Sequence, residues 1–429
     1  MSKPRVDATG DGYLFQWAPE DVQLEIDGLH EARGGELRGL LTATTTRNGT
    51  RELLHQADFN LNSTRTRQEV VRSLGQRTDG DNALALDWAG FLEQLCFIAR
   101  DNWRNGRPPI YLPDHQPRCG PRFLAEPYVE YGGPTILFAM GGTGKSMFAL
   151  AISLSIAAGI TVLSDLPTNR CKVAYLDWET DADTHHARLR AMCAGLGLPL
   201  EDGWIYYYRL SASLAESAQA LRRQFIQLGI GFVVVDSLGH ARGGEPESAD
   251  STLRLFNGAR SLELPWLGVD HMTKNGGTDQ ATPFGSVYTH NAARMTWALE
   301  TVEDGTEGAS VIALHNRKRN NGRLMGRRAY EVVYEEEGDD LISVQYQPRQ
   351  PADVPALLSK FSLTQQIAIM LKDKGPMQVS KIVAALGSEG ISAKEPAVTN
   401  ALERAKNRFA KADSYKPAMW GLLSNIAES

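Results

Sequence analysis

The sequence predicts an α/β fold built on a parallel sheet, on three observations. Short apolar runs alternate with helical stretches between residues 122 and 348. A glycine-rich loop, Ala139-Met140-Gly141-Gly142-Thr143-Gly144-Lys145-Ser146, sits between one such run and a helix. Two other apolar runs end in carboxylates, at Asp236 and in the Asp177–Glu179 stretch. Repeated β-α-β alternation places helices on both faces of a parallel sheet.

The apolar runs are Ile136–Phe138, Lys172–Leu176, Ile205–Tyr208, Phe232–Val235 and Trp266–Val269. Helical patterns fill Asp183–Gly195, Leu214–Leu228 and Ser248–Leu262. Four more strands, Met295–Leu299, Ser310–Leu314, Tyr330–Tyr334 and Leu341–Tyr346, have short connections and are expected as antiparallel additions at one sheet edge. Residues 1–115 form a separate α+β region. Strands are expected at Leu24–Ile26 and Glu36–Leu41 around the Gly34-Gly35 turn, and a helix at Ala83–Trp103. No motif marks a role for this region. Prolines 348, 351 and 355 suggest a linker over residues 347–362. The last unit, 360–425, reads as three short helices and a hairpin.

Composition narrows the function classes. The 429 residues are 42% hydrophobic and carry a net charge of −6, so a uniformly basic coat is excluded while a local basic face is not. Residues 351–429 sum to +3, leaving −9 for the rest, the sign asymmetry expected of a module facing nucleic acid. Met147–Leu163 is the longest uncharged apolar run. It follows a phosphate loop and reads as a core helix, so no membrane span is expected. Met1–Pro19 lacks a signal-peptide pattern, and the four cysteines include no C-x-x-C pair. Both fit a cytoplasmic protein with reduced thiols.

The glycine-rich loop carries the chemistry. In a strand–loop–helix context its glycines let successive N–H groups cradle phosphate oxygens, and the helix N-terminus adds positive potential. The expected nucleotide-binding set is Gly141, Gly142, Thr143, Gly144, Lys145, Ser146 and Met147. Lys145 would reach the β- and γ-phosphates of ATP, and Ser146 would ligate Mg²⁺. The first glycine of the usual pattern is Ala139 here, a change of one methyl. Asp236, at the end of an apolar strand, is the second expected Mg²⁺ residue, through water. An acid beyond Leu176 is placed to polarise the attacking water. Asp177, Glu179, Asp181 and Asp183 all lie there, and spacing alone does not choose among them.

These motifs resemble the RecA-like ATPases, in particular the RepA-type and DnaB-type hexameric helicases, over residues 122–348. The resemblance implies a RecA-like parallel sheet, Glu179 as general base and His271 as sensor of the γ-phosphate. It also implies that a base of Arg317, Lys318 or Arg319 reaches a neighbouring protomer's nucleotide. His315–Ala329 holds six Arg or Lys and no acid, so a face for nucleic-acid phosphate is the competing reading of that turn. Two loops, Leu238–Ser248 and Lys274–Pro283, would face single-stranded DNA in a ring channel, offering Arg242 and Lys274. The C-terminal unit resembles a winged helix-turn-helix, with Val379–Leu386 as first helix, Glu395–Lys406 as recognition helix and Phe409–Leu422 as wing. Lys394, Arg404, Lys406, Arg408, Lys411 and Lys416 would meet phosphates. The implied protein is an ATP-driven DNA motor, a replicative helicase of plasmid or phage type, with replication proteins among its partners and no membrane. A non-unwinding DNA-dependent ATPase and an ATP-controlled DNA-binding regulator remain open.

Overall fold

The structure is a computed structural model. It describes residues 2–9, 11–47, 50–78, 86–106, 109, 111–115, 122–161, 163, 169–200, 204–245, 247–272, 282–283, 287–304, 308–358, 360–412 and 417–423.

Five strands open the chain: β1 (Arg5–Ala8), β2 (Tyr13–Trp17), β3 (Val22–Ala32), β4 (Glu36–Arg47) and β5 (Thr50–Asn60). They pair antiparallel in chain order. Helices α1 (Thr64–Thr78) and α2 (Trp88–Asn105) contribute Val70, Leu74, Phe91 and Leu95 to a core with Phe15, Trp17, Leu24, Ile26, Leu41 and Phe59. The β3–β4 turn uses Gly34 and Gly35 at φ 95° and 77°, a region that side chains disfavour. Strand β4 runs well past Leu41 because Thr42, Thr44, Thr45 and Thr46 are β-branched and suit extended backbone despite their polarity. Helix α2 starts at Trp88, where Asp87 caps it by accepting from the Gly90 N–H at 2.9 Å. The expected earlier start, residues 83–85, lies outside the described residues.

A small hairpin, β6 (Phe123–Ala125) with β7 (Val129–Glu130), leads into the central sheet. That sheet comprises β8 (Thr135–Ala139), β9 (Lys172–Asp177), β10 (Ile205–Arg209), β11 (Ile230–Asp236), β12 (Trp266–His271), β13 (Met295–Asp304), β14 (Ala309–Arg319), β15 (Arg328–Glu337) and β16 (Asp340–Arg349). Their order is β10-β9-β11-β12-β8-β13-β14-β15-β16. The first six are parallel, and only the last three are antiparallel. The expectation that Met295–Leu299 joins the antiparallel group is therefore corrected. The Arg294 N–H donates to the Pro134 carbonyl, so β13 starts at the same end of the sheet as β8 and runs beside it.

Alternate residues of the buried strands serve opposite faces. Val173, Tyr175, Phe232 and Val234 pack with α3 (Lys145–Ala158) and α4 (Ala182–Leu196). Ala174, Leu176, Val233 and Val235 pack with α5 (Leu214–Leu228), α6 (Leu238–Ala241) and α7 (Ala249–Ser261). Helix α3 is buried along nearly its whole length, and no helix among the described residues is long and apolar enough to cross a membrane. Helix α8 (Val287–Ala292) precedes β13.

Within the stretch expected as a linker, 347–362, Val354, Leu357 and Leu358 are buried. Strand β16 continues to Arg349. Val354 and Leu357 of the turn around α9 (Pro355–Leu358) bury against Ala313 and Ala329. Lys360 Nζ binds both carboxylate oxygens of Glu300, at 2.7 and 2.9 Å. Pro351 and Pro355 sit at helix starts, where their fixed φ suits the first turn. Beyond lie α10 (Leu363–Lys374), β17 (Met377–Gln378), α11 (Val379–Ser388), α12 (Glu395–Arg404), β18 (Phe409–Lys411) and β19 (Met419–Leu422). Ile367, Leu371, Ile382, Leu386, Val398 and Leu402 form their core, and the three strands pair in the order β17-β19-β18.

Candidate nucleotide site

At the ends of the parallel strands, one sheet edge gathers Lys145, Ser146, Glu179, Asp236 and His271. The loop after β8 turns through Gly142 (φ 76°) and Gly144 (φ 84°), conformations that only glycine adopts without strain. Ala139 is still part of β8, paired with His271, so this position needs extended backbone and tolerates a Cβ. Thr143 Oγ1 donates to the Met140 carbonyl at 2.7 Å, closing the loop on itself. Lys145 opens α3, and its Nζ donates to the carbonyls of Met140 (2.8 Å) and Ala139 (3.3 Å). Burial lowers the pKa of this ammonium, against the pull of Asp236, Glu179 and Asp270. A phosphate reaching the loop would replace the two carbonyls as the ammonium's partners. Met147 lies within the first turn of α3 and packs against the core below.

Asp236, the last residue of β11, is 5% exposed. Burial raises its pKa, while hydrogen bonds from Tyr175 and Ser146 work the other way. The Tyr175 hydroxyl donates to Asp236 Oδ2 at 2.6 Å. A buried carboxylate beside a serine hydroxyl is an all-oxygen donor pair, which fits a hard divalent cation such as Mg²⁺. Tyr175→Phe removes one hydrogen bond to the ionised form of Asp236 and so favours its protonation. The expected result is a several-fold higher Mg²⁺ concentration for half-maximal ATP turnover, read by titrating the metal at fixed ATP. An unchanged requirement would mean that Asp236 is not on the metal.

Beyond β9 the four candidate acids separate by environment. Asp177 is fully buried. Its Oδ1 accepts from the N–H groups of Glu179 (3.0 Å) and Thr180 (3.2 Å), and its Oδ2 accepts from the Tyr207 hydroxyl at 2.7 Å. His185 Nε2 stands 3.5 Å from Oδ2. Burial alone would raise its pKa, but these donors together hold the carboxyl well below the usual range. Asp177 therefore shapes the turn that presents Glu179. Asp181 caps α4, accepting from the Thr184 N–H at 2.7 Å, and Asp183 is exposed on the first turn of that helix. Glu179 alone of the four directs its carboxylate across to the end of β11. Its Oε1 accepts from the Ser237 hydroxyl and lies 3.1 Å from His240 Nδ1. Tyr175, Ser237 and His240 escaped the sequence reading. The one available signal was a tyrosine in an otherwise apolar strand, whose buried hydroxyl needs a partner.

His271 ends β12, the strand between β8 and β11, beside the loop. Burial lowers its pKa, and Lys145 lowers it further. The basic trio stands apart. Arg319 pairs with Met295 across β13–β14, and Met295 pairs with Thr135 at the start of β8. Arg317, Lys318 and Arg319 thus sit at the end of the sheet opposite the phosphate loop and do not meet this chain's own site. Lys318 Nζ donates to the carbonyls of His290 and Asn291, each at 2.8 Å. Arg319 Nε donates to Glu130 Oε1 at 2.8 Å.

Arg242, expected as a base facing a polymer, is instead buried. Its Nη2 pairs with Asp270 Oδ2 at 2.9 Å, with the two side chains 0% and 1% exposed, and reaches Thr289 Oγ1 at 3.0 Å. Lys274 lies outside the described residues.

No curated protein matches this chain. The family described as AAA domain matches residues 114–277, which contain the phosphate loop, both strand-end acids and His271 but stop short of β13 and the basic trio. Motif, sheet and family match agree that the chain carries a P-loop ATPase domain.

Proposed function

We propose that this protein is an ATP-hydrolysing RecA-fold motor acting on DNA, similar to the RepA-type helicases of plasmids and phages and working as a ring, with six protomers expected. The observation that carries the reading is the convergence of Lys145, Ser146, Asp236, Glu179 and His271 on one sheet edge. Lys145 neutralises the β- and γ-phosphates, Ser146 and Asp236 hold Mg²⁺, and Glu179 accepts the proton of the attacking water. Mg²⁺ held by Ser146 and Asp236 would supply positive charge against the negative charge that develops on the phosphate oxygens. His271, one strand from the loop and adjacent to Asp270, is placed to relay nucleotide state toward the segment that follows it. The basic trio's position away from its own phosphate loop supports action on a neighbour's nucleotide, with one of Arg317, Lys318 and Arg319 as the finger.

The C-terminal unit supports a DNA-facing winged helix. Two helices joined by a turn are followed by the β18–β19 pair, and Lys394, Arg404, Lys406, Arg408 and Lys411 are all exposed. Lys416 lies outside the described residues. Burial of Arg242 removes a base from one channel loop, and this favours the second reading, a DNA-dependent ATPase that does not unwind. A strand-displacement assay decides between them. The protein is expected to release a labelled strand with ATP, and Lys145→Ala is expected to abolish release. DNA-stimulated turnover without release would establish the second reading, and turnover indifferent to DNA would exclude both.

A further inference from the structure

We propose that His185 is a positioning residue whose imidazole, wedged against Tyr175 and Tyr207, sets the two hydroxyls that align Asp236 and the turn carrying Glu179. This inference rests on the proposed function, which gives Asp236 the metal and Glu179 the attacking water. His185 lies near the start of α4 and is buried. The two tyrosines are register partners on the neighbouring parallel strands β9 and β10. Residues so paired leave a parallel sheet on the same face.

Ring packing defines the wedge. The imidazole centroid stands 4.6 Å from the Tyr175 ring and 5.3 Å from the Tyr207 ring, both within the range of favourable aromatic contact. Its polar contacts are weaker. Nε2 comes no closer than 3.5 Å to Asp177 Oδ2, and Nδ1 has no hydrogen-bond partner among the described residues. A buried group with so little hydrogen bonding is retained for what its ring holds in place.

What it holds is a pair of donors aimed at different carboxylates. The Tyr175 hydroxyl donates to Asp236 Oδ2 at 2.6 Å, and the Tyr207 hydroxyl donates to Asp177 Oδ2 at 2.7 Å. Asp177 in turn accepts from the Glu179 and Thr180 N–H groups. A tilt of either tyrosine ring is magnified at its hydroxyl, the far end of the side chain. One imidazole therefore fixes two alignments at once, that of the metal carboxylate and that of the turn presenting the base. Without the ring, both tyrosines gain room to lean toward α4, and both alignments loosen together.

The test compares His185→Ala and His185→Phe in the full chain. Phenylalanine keeps a ring in the wedge and gives up both nitrogens, whereas alanine removes the ring. Hydrogen exchange of the nucleotide-free protein is read at the Glu179 and Thr180 amides, and ATP turnover is read across a Mg²⁺ titration. Expected for alanine is several-fold faster exchange at those two amides, with the Thr184 amide, held by Asp181 at the start of α4, still protected. Its kcat should fall several-fold and its Mg²⁺ requirement rise several-fold, at an unchanged KM for ATP in saturating Mg²⁺. Phenylalanine should return exchange, kcat and Mg²⁺ requirement toward the parent. In a Tyr175→Phe background alanine should no longer shift the Mg²⁺ requirement, because the hydroxyl it would misalign is gone. Parent-like exchange in the alanine variant, loss of Thr184 protection as well, a phenylalanine variant as impaired as alanine, or an additive shift in the Tyr175→Phe background each overturns the wedge. A parent protein that hydrolyses no ATP overturns the functional reading, while the exchange measurement still judges the wedge by itself.

Discussion

Glu179→Gln is expected to lower ATP turnover by about 10²–10⁴-fold, the span that a positioned general base supplies. Nucleotide binding should persist, because Lys145, Ser146 and Asp236 reach the phosphates and metal from other elements. Glutamine preserves length and keeps an amide oxygen that can still accept from Ser237 and His240, so the substitution isolates the proton acceptor from the geometry. Phosphate release and binding of a fluorescent ATP analogue are the two readings. The comparison with Asp177→Asn sharpens the assignment. Asp177 organises the turn through the Glu179 and Thr180 N–H groups. Losing its charge should lower turnover and loosen the turn together, and only the second loss registers in hydrogen exchange at those amides. Asp183→Asn, on an exposed first turn of α4, should change neither. A glutamine variant that hydrolyses ATP at the parent rate would move the base elsewhere.

The parallel sheet and the phosphate loop were legible because each rests on local signals. Apolar runs such as Phe232–Val235 and the Gly-Lys-Ser step before a helix are short-range patterns. What stayed hidden depends on pairing across the sheet. The direction of β13 follows from Arg294 and Met295 meeting Pro134, a contact with no local signature. Threonines 42, 44, 45 and 46 concealed the length of β4, because their polarity points to a loop where β-branching governs. Four acids beyond Leu176 looked equivalent, and only burial separates the turn-shaping Asp177 from the exposed Glu179, which reaches Ser237 at the end of β11. Arg242 was misread for a related reason. A base in a glycine-rich stretch reads as solvent-facing, whereas here a buried partner, Asp270, sits 28 residues away in sequence. Prolines 351 and 355 marked helix starts and not a flexible tether, since the burial of Val354 and Leu357 cannot be inferred from proline spacing.

Arg242→Met is expected to produce the largest loss of stability, and the loss should grow with pH. The arginine holds the end of α6, the end of β12 and helix α8 at one buried point. Removing one partner of a buried ion pair costs about 3–5 kcal/mol when the other remains charged. Whether it remains charged is set by Asp270, whose pKa is raised from 3.8 to about 7 because burial outweighs the pull of Arg242. The folded state therefore retains a proton that the unfolded chain releases between those values, so this group's contribution to stability is full below the lower value and declines as pH rises toward the upper one. Without Arg242 the carboxyl moves higher still, and the decline extends further into the alkaline range. Urea denaturation at about pH 5.5 and about pH 8.5, on either side of the Asp270 value, should show a small gap between parent and variant at the lower pH and a clearly larger one at the higher. Adding Asp270→Asn should remove most of that pH dependence, because no buried charge is left to strand. A gap of equal size at both pH values would mean that Arg242 stabilises the junction by packing its stem, and that Asp270 is not its electrostatic partner.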